Sequence, residues 1–245
     1  GDIRIDQGTS ATGISRIDDV TPNVWEEAYG TGLGTGIDTV SGASSGANIE
    51  FTPSGTPDGL TVRAAWSPDS DGKSTTGDKA VGGDKGGNVN GSGYDILLRS
   101  TGIYDGLDIW AGYSDISQSS VAGSSADGDR TANNIGATLA VGAVTVGYQV
   151  SKDNYNSRSA GTLHYDNEAY GVSFQVNDDL ALSYGVHKST QEKNGLANVD
   201  LETKSAQIAY TLGGAAIKIA ETDVENKAYG ASDINGTLIG VTLAF

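Results

Sequence analysis

The sequence predicts an all-β fold, a transmembrane antiparallel β-barrel forming a single domain over residues 1–245. Two observations carry that expectation. Large apolar side chains recur at every second position in segment after segment, with small or polar residues between them, so each segment reads as a strand with one apolar face. The connections alternate long and short, which puts every long loop at one end of an antiparallel sheet. The four prolines, Pro22, Pro53, Pro57 and Pro68, all fall outside the strand interiors, as a ladder requires of a residue that cannot donate to it.

Twelve strands are expected, over 1–7, 47–52, 59–67, 93–100, 106–117, 131–141, 143–152, 165–176, 179–190, 201–212, 215–221 and 235–245. In the first, Arg4 and Asp6 share the polar face; Glu50 and Arg63 take that face in the next two. Tyr94, Ile96 and Leu98 then oppose Asp95, Leu97 and Arg99, and Asp108 and Trp110 oppose the face of Tyr113. In 143–152, Val144, Val146, Tyr148 and Val150 oppose Thr145, Gly147 and Gln149. Leu180, Leu182, Tyr184 and Val186 oppose Ala181, Ser183, Gly185 and His187. Tyr170 and Tyr210 lie on the apolar phase of their strands and Lys218 on the polar phase. Tyrosines on the apolar phase near strand ends suit the aromatic girdles of a membrane barrel. The long connections are 8–46, 68–92, 118–130, 153–164, 191–200 and 222–234; the short ones are 53–58, 101–105, Gly142, 177–178 and 213–214.

Composition removes several function classes. With no Cys among 245 residues, disulfides and thiolate metal sites are excluded. A net charge of −16 opposes nucleic-acid binding, which needs a basic surface, and suits attraction of cations. No apolar run reaches the ~18 residues of a membrane helix, which leaves strands as the means of crossing. The chain starts at Gly1 without Met or signal peptide, so a processed or partial chain is expected.

The 8–46 connection is too long for an ordinary loop, and loops beyond ~12–15 residues are usually functional or disordered. Within it, Thr21 can cap a helix, Pro22 suits the first helical position, Glu26 and Glu27 fall in the early turns, and Gly30 can end it. About two turns of helix are therefore expected over 21–30, with Val24, Trp25 and Tyr29 docking on the wall. The acids of this loop are Asp18, Asp19, Glu26, Glu27 and Asp38, against the single base Arg16.

The last strand, with Ile239, Val241, Leu243 and a terminal Phe245 in alternation, resembles the closing strand of a bacterial outer-membrane barrel, in which the terminal Phe is the assembly signal. Together with the strand 1–7 followed by the loop 8–46, the layout is similar to that of a general diffusion porin, most like those of alphaproteobacteria. That resemblance implies a 16-stranded barrel, three per trimer, whose third extracellular loop follows the fifth strand and folds inward as an acidic constriction. The 8–46 loop would then be the constriction loop, and this chain would lack the first four strands; a natural 12-stranded barrel is the alternative, because an even number also closes. The loop lacks the Pro-Glu-Phe-Gly-Gly run of enterobacterial members, so no residue is carried over from that motif.

If the apolar faces meet lipid, the opposite faces line water. By phase, the pore wall comprises Arg4, Asp6, Glu50, Arg63, Asp95, Arg99, Asp108, Gln149 and Lys218. The loop carboxylates Asp18, Asp19, Glu26, Glu27 and Asp38 are expected to face wall bases Arg4, Arg63 and Arg99, since opposed charges set a transverse field and ion preference. A structural or lipid-bridging Ca²⁺ is the only cofactor the sequence suggests: Asp69 and Asp71, in Pro68-Asp69-Ser70-Asp71-Gly72, begin like an oxygen-ligand loop but lack the closing Glu of an EF-hand. Catalysis has little support, because only His164 and His187 are present and they are far apart in sequence. The expected function is an outer-membrane porin passing ions and small hydrophilic solutes passively, with a mild cation preference, as a homotrimer in contact with membrane lipid and lipopolysaccharide. The rivals are a substrate-specific channel and a closed structural or adhesive barrel.

Overall fold

A computed structural model describes residues 1–7, 11–70, 89–119, 128–156 and 161–243. Twelve strands form one antiparallel sheet in sequential order. They are β1 (Asp2–Gln7), β2 (Ala47–Thr52), β3 (Leu60–Ser67), β4 (Val89–Ser100), β5 (Leu107–Ser119), β6 (Arg130–Val141), β7 (Val144–Asn154), β8 (Thr162–Gln175), β9 (Leu180–Lys193), β10 (Val199–Leu212), β11 (Ala215–Glu225) and β12 (Ile234–Leu243). β1 pairs with β2, β12 pairs with β11, and among the described residues the two edge strands do not pair with each other. Open sheet edges do not occur in hydrocarbon, so in a membrane both edges need partners.

The alternation resolves into two unlike faces. One face turns Ile5, Phe51, Ile96, Tyr148, Leu182 and Val241 to the outside, where they remain exposed. The tyrosines at 94, 113, 148, 170, 184 and 210 are all on this face. The other face is covered by the segment between β1 and β2, which folds back against the sheet.

Several strands run further than the two-residue period suggests, and they do so at the long-loop end. β9 continues to Lys193 and β10 starts at Val199, so the expected long connection 191–200 is a short one. β11 continues through Thr222-Asp223-Val224-Glu225. The reason is a change of outer environment. Ile217 and Ile219 point outward on β11, and Glu221, Asp223 and Glu225 follow on the same phase, so the hydrophobic signal stops while the ladder goes on.

The helix expected over 21–30 does not form; that stretch is a series of bends and turns. Short 3-10 turns occur instead at Gly13–Ile17 and Gly42–Ser45. The wall takes backbone donors that a helix would have capped or paired itself. Val24 N donates to Ser183 Oγ at 3.0 Å, and Trp25 N donates to Gln207 Oε1 at 3.1 Å. Tyr29 and Trp25 dock on the wall as expected, Tyr29 edge-on to His187 at 5.0 Å and the Trp25 indole over Gly240, where an added Cβ would lie 3.0 Å away, while Val24 is held there through its backbone N.

Candidate functional site

The inner loop is fastened step by step around the sheet. At its start Asp95, on β4 and fully buried, accepts from Ile14 N at 3.1 Å. Asn134 on β6 donates to Ile17 O at 2.6 Å, and Gln149 on β7 donates to Asp18 O at 2.7 Å. Ser183 and Gln207 hold Val24 to Glu26 on β9 and β10, the Gln207 amide also donating to Glu26 O at 2.6 Å. Thr203 donates to Ala28 O at 3.0 Å, and Thr31 meets Thr222 of β11 at 3.0 Å. The loop then returns to β4, where Asp95 accepts a second time, from Ala43 N at 3.1 Å. One carboxylate thus holds both ends. The turn glycines Gly13 and Gly42, with φ of 56° and 57°, permit the approach: a Cβ on Gly13 would fall 2.1 Å from Asp95.

A shelf of small residues seats the middle of the loop. The register aligns Gly147, Gly171, Gly185, Ser205, Thr222 and Gly236 in one inward row from β7 to β12. Pro22 lies on it, such that a Cβ on Gly147 would be 2.4 Å from Pro22 Cδ and one on Gly171 2.6 Å from Pro22 O. Leu33 reaches Gly236 at the far end.

Under the start of the loop lies a buried apolar cluster. Ile14, Ile17 and Val40 pack with Leu97, Trp110 and Ala132 of the wall, and Val20 lies against them. Burial of each such side chain contributes roughly 1.5–3 kcal/mol. Trp110, read by phase as pore-lining, is 2% exposed and donates to Asn134 Oδ1 at 3.2 Å.

The expected wall residues separate into two roles. Glu50 is 3% exposed and lies beneath the loop: it accepts from Gly13 N at 2.8 Å and forms a forked pair with Arg16, at 2.9 Å to Nε and 2.7 Å to Nη2. Glu50 and Asp95 are loop anchors in this geometry, not water-facing charges. Arg4 pairs with Asp6 at 3.4 Å, and Arg99 grips Asp108 with Nε 2.9 Å from Oδ2. Arg63 stands 4.0 Å from Glu50, within electrostatic reach of Arg4, Arg16 and Arg99. Lys218 is half-buried on β11, paired in register with Gly240. Arg4, Arg63 and Arg99 thus gather on β1, β3 and β4, and Lys218 stands apart from them. No loop carboxylate forms an ion pair with Arg4, Arg63 or Arg99 among the described residues.

The loop carboxylates gather elsewhere. Asp18, Asp19 and Glu27 lie within electrostatic reach of one another, and the side chains of Asp18 and Asp19 are hydrogen-bonded together. Burial and then the Asp19 charge push Asp18 up to about 8; burial and then Asp19 push Glu27 up to about 8 as well. Burial also raises Asp19. Glu27 accepts from Asn23 Nδ2 at 2.7 Å. Asp38 sits apart: Tyr155 OH donates to its Oδ2 at 3.1 Å, its N donates to Tyr229 OH at 3.0 Å, and burial raises it too. Arg130 completes that corner, 4.0 Å over the Tyr155 ring and paired with Asp153 at 2.9 Å through Nε.

The raised carboxylates have a signed consequence. A folded-state pKa above the unfolded value stabilises loop docking fully below the unfolded carboxylate range, near 4, and loses it as pH rises through about 8. Thermal melting is therefore expected at a lower temperature at pH 9 than at pH 5, and Asp18→Asn is expected to flatten that difference. Equal pH dependence in the variant and the parent protein would contradict the assignment.

Sequence reasoning placed Gln149, Ser183, Gly185 and His187 on the inward face but not the loop atoms they meet. It did not single out Asn134, Thr203, Gln207, Thr222 or the Tyr155–Tyr229 corner. The available signal was polarity on the inward phase; their partners depend on register. For calcium, Asp69 is described and Asp71 lies outside the described residues, as does Phe245. No group of three metal-ligating side chains occurs among the described residues.

No family model and no curated protein sequence matches the chain. Solved structures do. The anion-selective porin of Comamonas acidovorans aligns with a TM-score of 0.63 at 12% identity over 82% of this chain, which spans only 60% of that porin's length. Outer-membrane OmpT of Vibrio cholerae aligns with a TM-score of 0.65 at 16% identity, covering 98% of this chain and 76% of that one. A porin refined at 1.8 Å gives 0.65 at 17% identity, covering 99% and 77%. These likenesses establish a porin-type fold.

Proposed function

We propose that this chain forms the wall and inner loop of an outer-membrane channel through which ions and small hydrophilic solutes diffuse passively, with a preference for cations. The observation that carries the reading is an acidic loop folded against the inner face of a sheet whose outer face is apolar. Such an outer face suits lipid, and carboxylates along a water path favour cations. The Comamonas structure is of an anion-selective porin; the segregation here, with Asp18, Asp19, Glu26 and Glu27 clustered and the bases largely tied to carboxylates, argues for the opposite sign, and the preference should strengthen as pH rises through about 8 and Asp18 and Glu27 ionise. Homotrimer assembly, contacts with lipid and lipopolysaccharide, and Phe245 as an assembly signal belong to the same proposal. A path needs nothing but a gradient, so no cofactor is invoked.

The test is single-channel recording of the native protein in a planar bilayer under a KCl gradient. Conductance steps with a reversal potential on the cation side are expected. The buried apolar cluster beneath the loop favours a second reading, a barrel closed inside, and a tight seal without steps would establish that one instead.

A further inference from the structure

The outer face carries a groove of 930 Å³ that no inner-face function uses. Its floor is made by Ala111 and Ala137, small residues in rows otherwise filled by Leu98, Ile135 and Tyr148. The groove ends at two adjoining short turns, joined by Thr101 N donating to Gly59 O at 2.9 Å, and Asp58 lies at that end. Asp58 is exposed and pairs with no base among the described residues, whereas the side chain of Arg99, whose residue borders the groove, turns to the inner face and is held there by Asp108. The walls are apolar, and among the described residues lining the groove the one charge not held by a partner is negative. Sites of this size with apolar walls and a few polar groups at one end suit an amphiphile.

We infer that this groove seats one acyl chain of an aminophospholipid, with the headgroup amine at the Asp58 carboxylate. The inference rests on the reading of the outer face as lipid-facing. Two features select a lipid over a water-borne solute. The groove opens between the exposed side chains of Leu98, Ile135 and Tyr148, which belong to the apolar face, and Trp110 and Gly136 close it from the interior. The chain's contacts with an alkyl tail replace those a flat wall would offer, and each well-buried methylene adds about 0.8 kcal/mol to such an association.

Native mass spectrometry of the purified protein, mixed with phosphatidylethanolamine or phosphatidylglycerol and then mildly delipidated, tests this. The native protein should retain one phosphatidylethanolamine per chain. Ala137→Phe, which fills the groove, should retain it about tenfold less, the change expected when roughly two buried methylenes are lost; Ala111→Phe serves as a second filling variant. Asp58→Asn should keep a lipid but lose the preference for phosphatidylethanolamine. Equal retention in the native and filled proteins overturns the inference, and so does loss of a subunit contact in place of a lipid, which would make the groove a contact between copies of the chain. Quenching of Trp66, exposed on the outer face, by brominated acyl chains separates the two levels. If Trp66 is quenched and retention is equal, only the groove assignment fails; if Trp66 is not quenched, the lipid-facing reading fails with it.

Discussion

Replacing Asp95 by leucine is expected to release both ends of the inner loop at once. The carboxylate accepts from Ile14 N at the start of the loop and from Ala43 N at its end. Leucine supplies no acceptor and leaves two buried N–H groups unpaired, each costing about 1–3 kcal/mol. The total, on the order of 3 kcal/mol, bears on loop docking and leaves the strand ladders in place. Asp95→Asn keeps one acceptor oxygen and should fall between the two. Arg16 offers a direct readout because it is the one Lys or Arg in 8–46. Its guanidinium is forked onto Glu50 in the docked loop, and trypsin needs that segment extended and free. Cleavage after Arg16 should be absent from the native protein, slow in Asp95→Asn and fast in Asp95→Leu, with far-UV circular dichroism unchanged. If Asp95→Leu resists trypsin at Arg16 as the native protein does, Asp95 is not the clasp described here.

A larger displacement is expected from Gly171→Val. The new Cβ would lie 2.6 Å from the carbonyl oxygen of Pro22, a backbone atom with no rotamer to absorb the collision. Overpacking of this kind costs typically 1–3 kcal/mol. The strand backbone around Gly171 is held on both sides by β7 and β9, so the loop is the part that gives way. The measurable result is cleavage after Arg16 and, on the channel reading proposed above, current that fluctuates between levels where the native protein would hold one. Gly185→Ala is the matched control. It belongs to the same inward row, but its added Cβ would lie 3.8 Å from Ala28, an ordinary contact, and current and protease resistance should remain native. A steady native-like current from Gly171→Val would show that the loop does not rest on the shelf.

These variants mark where sequence stops being informative. Asp95 and Arg99 look alike in the one-dimensional pattern: both are charged, both are inward, and they lie two pairs apart on β4. The structure buries the first under the loop and leaves the second at the inner surface with Asp108. Tyr94, Ile96 and Leu98, their neighbours on the other phase, needed no structure, because alternation alone assigns a side chain to a face. Residues 21–30 show the opposite failure. Their capping and proline signals are those of a helix, yet Gln207 claims Trp25 N and Glu26 O, backbone groups the helix would have paired, and Ser183 takes the first-turn donor Val24 N. Local preference is worth tenths of a kilocalorie per residue, and a few tertiary hydrogen bonds override it.

By itself the sequence determined the number of strands, their antiparallel order, which face is apolar and which connection is the long acidic one. Each of these follows from interactions between residues near in the chain or from a period of two. Only the tertiary structure decided that the inner loop circles from β4 to β11 and returns, that Asp95 and Glu50 serve as its anchors, and that the carboxylates of Asp18, Asp19 and Glu27 come within electrostatic reach of one another. The alignment of Gly147, Gly171, Gly185, Ser205, Thr222 and Gly236 into one shelf depends on register across six strands. A slip of one residue in any of those pairings would send that strand's small residues to the other face. Register is set by all the side chains of two strands together with the loop packed on them, and no single segment encodes it.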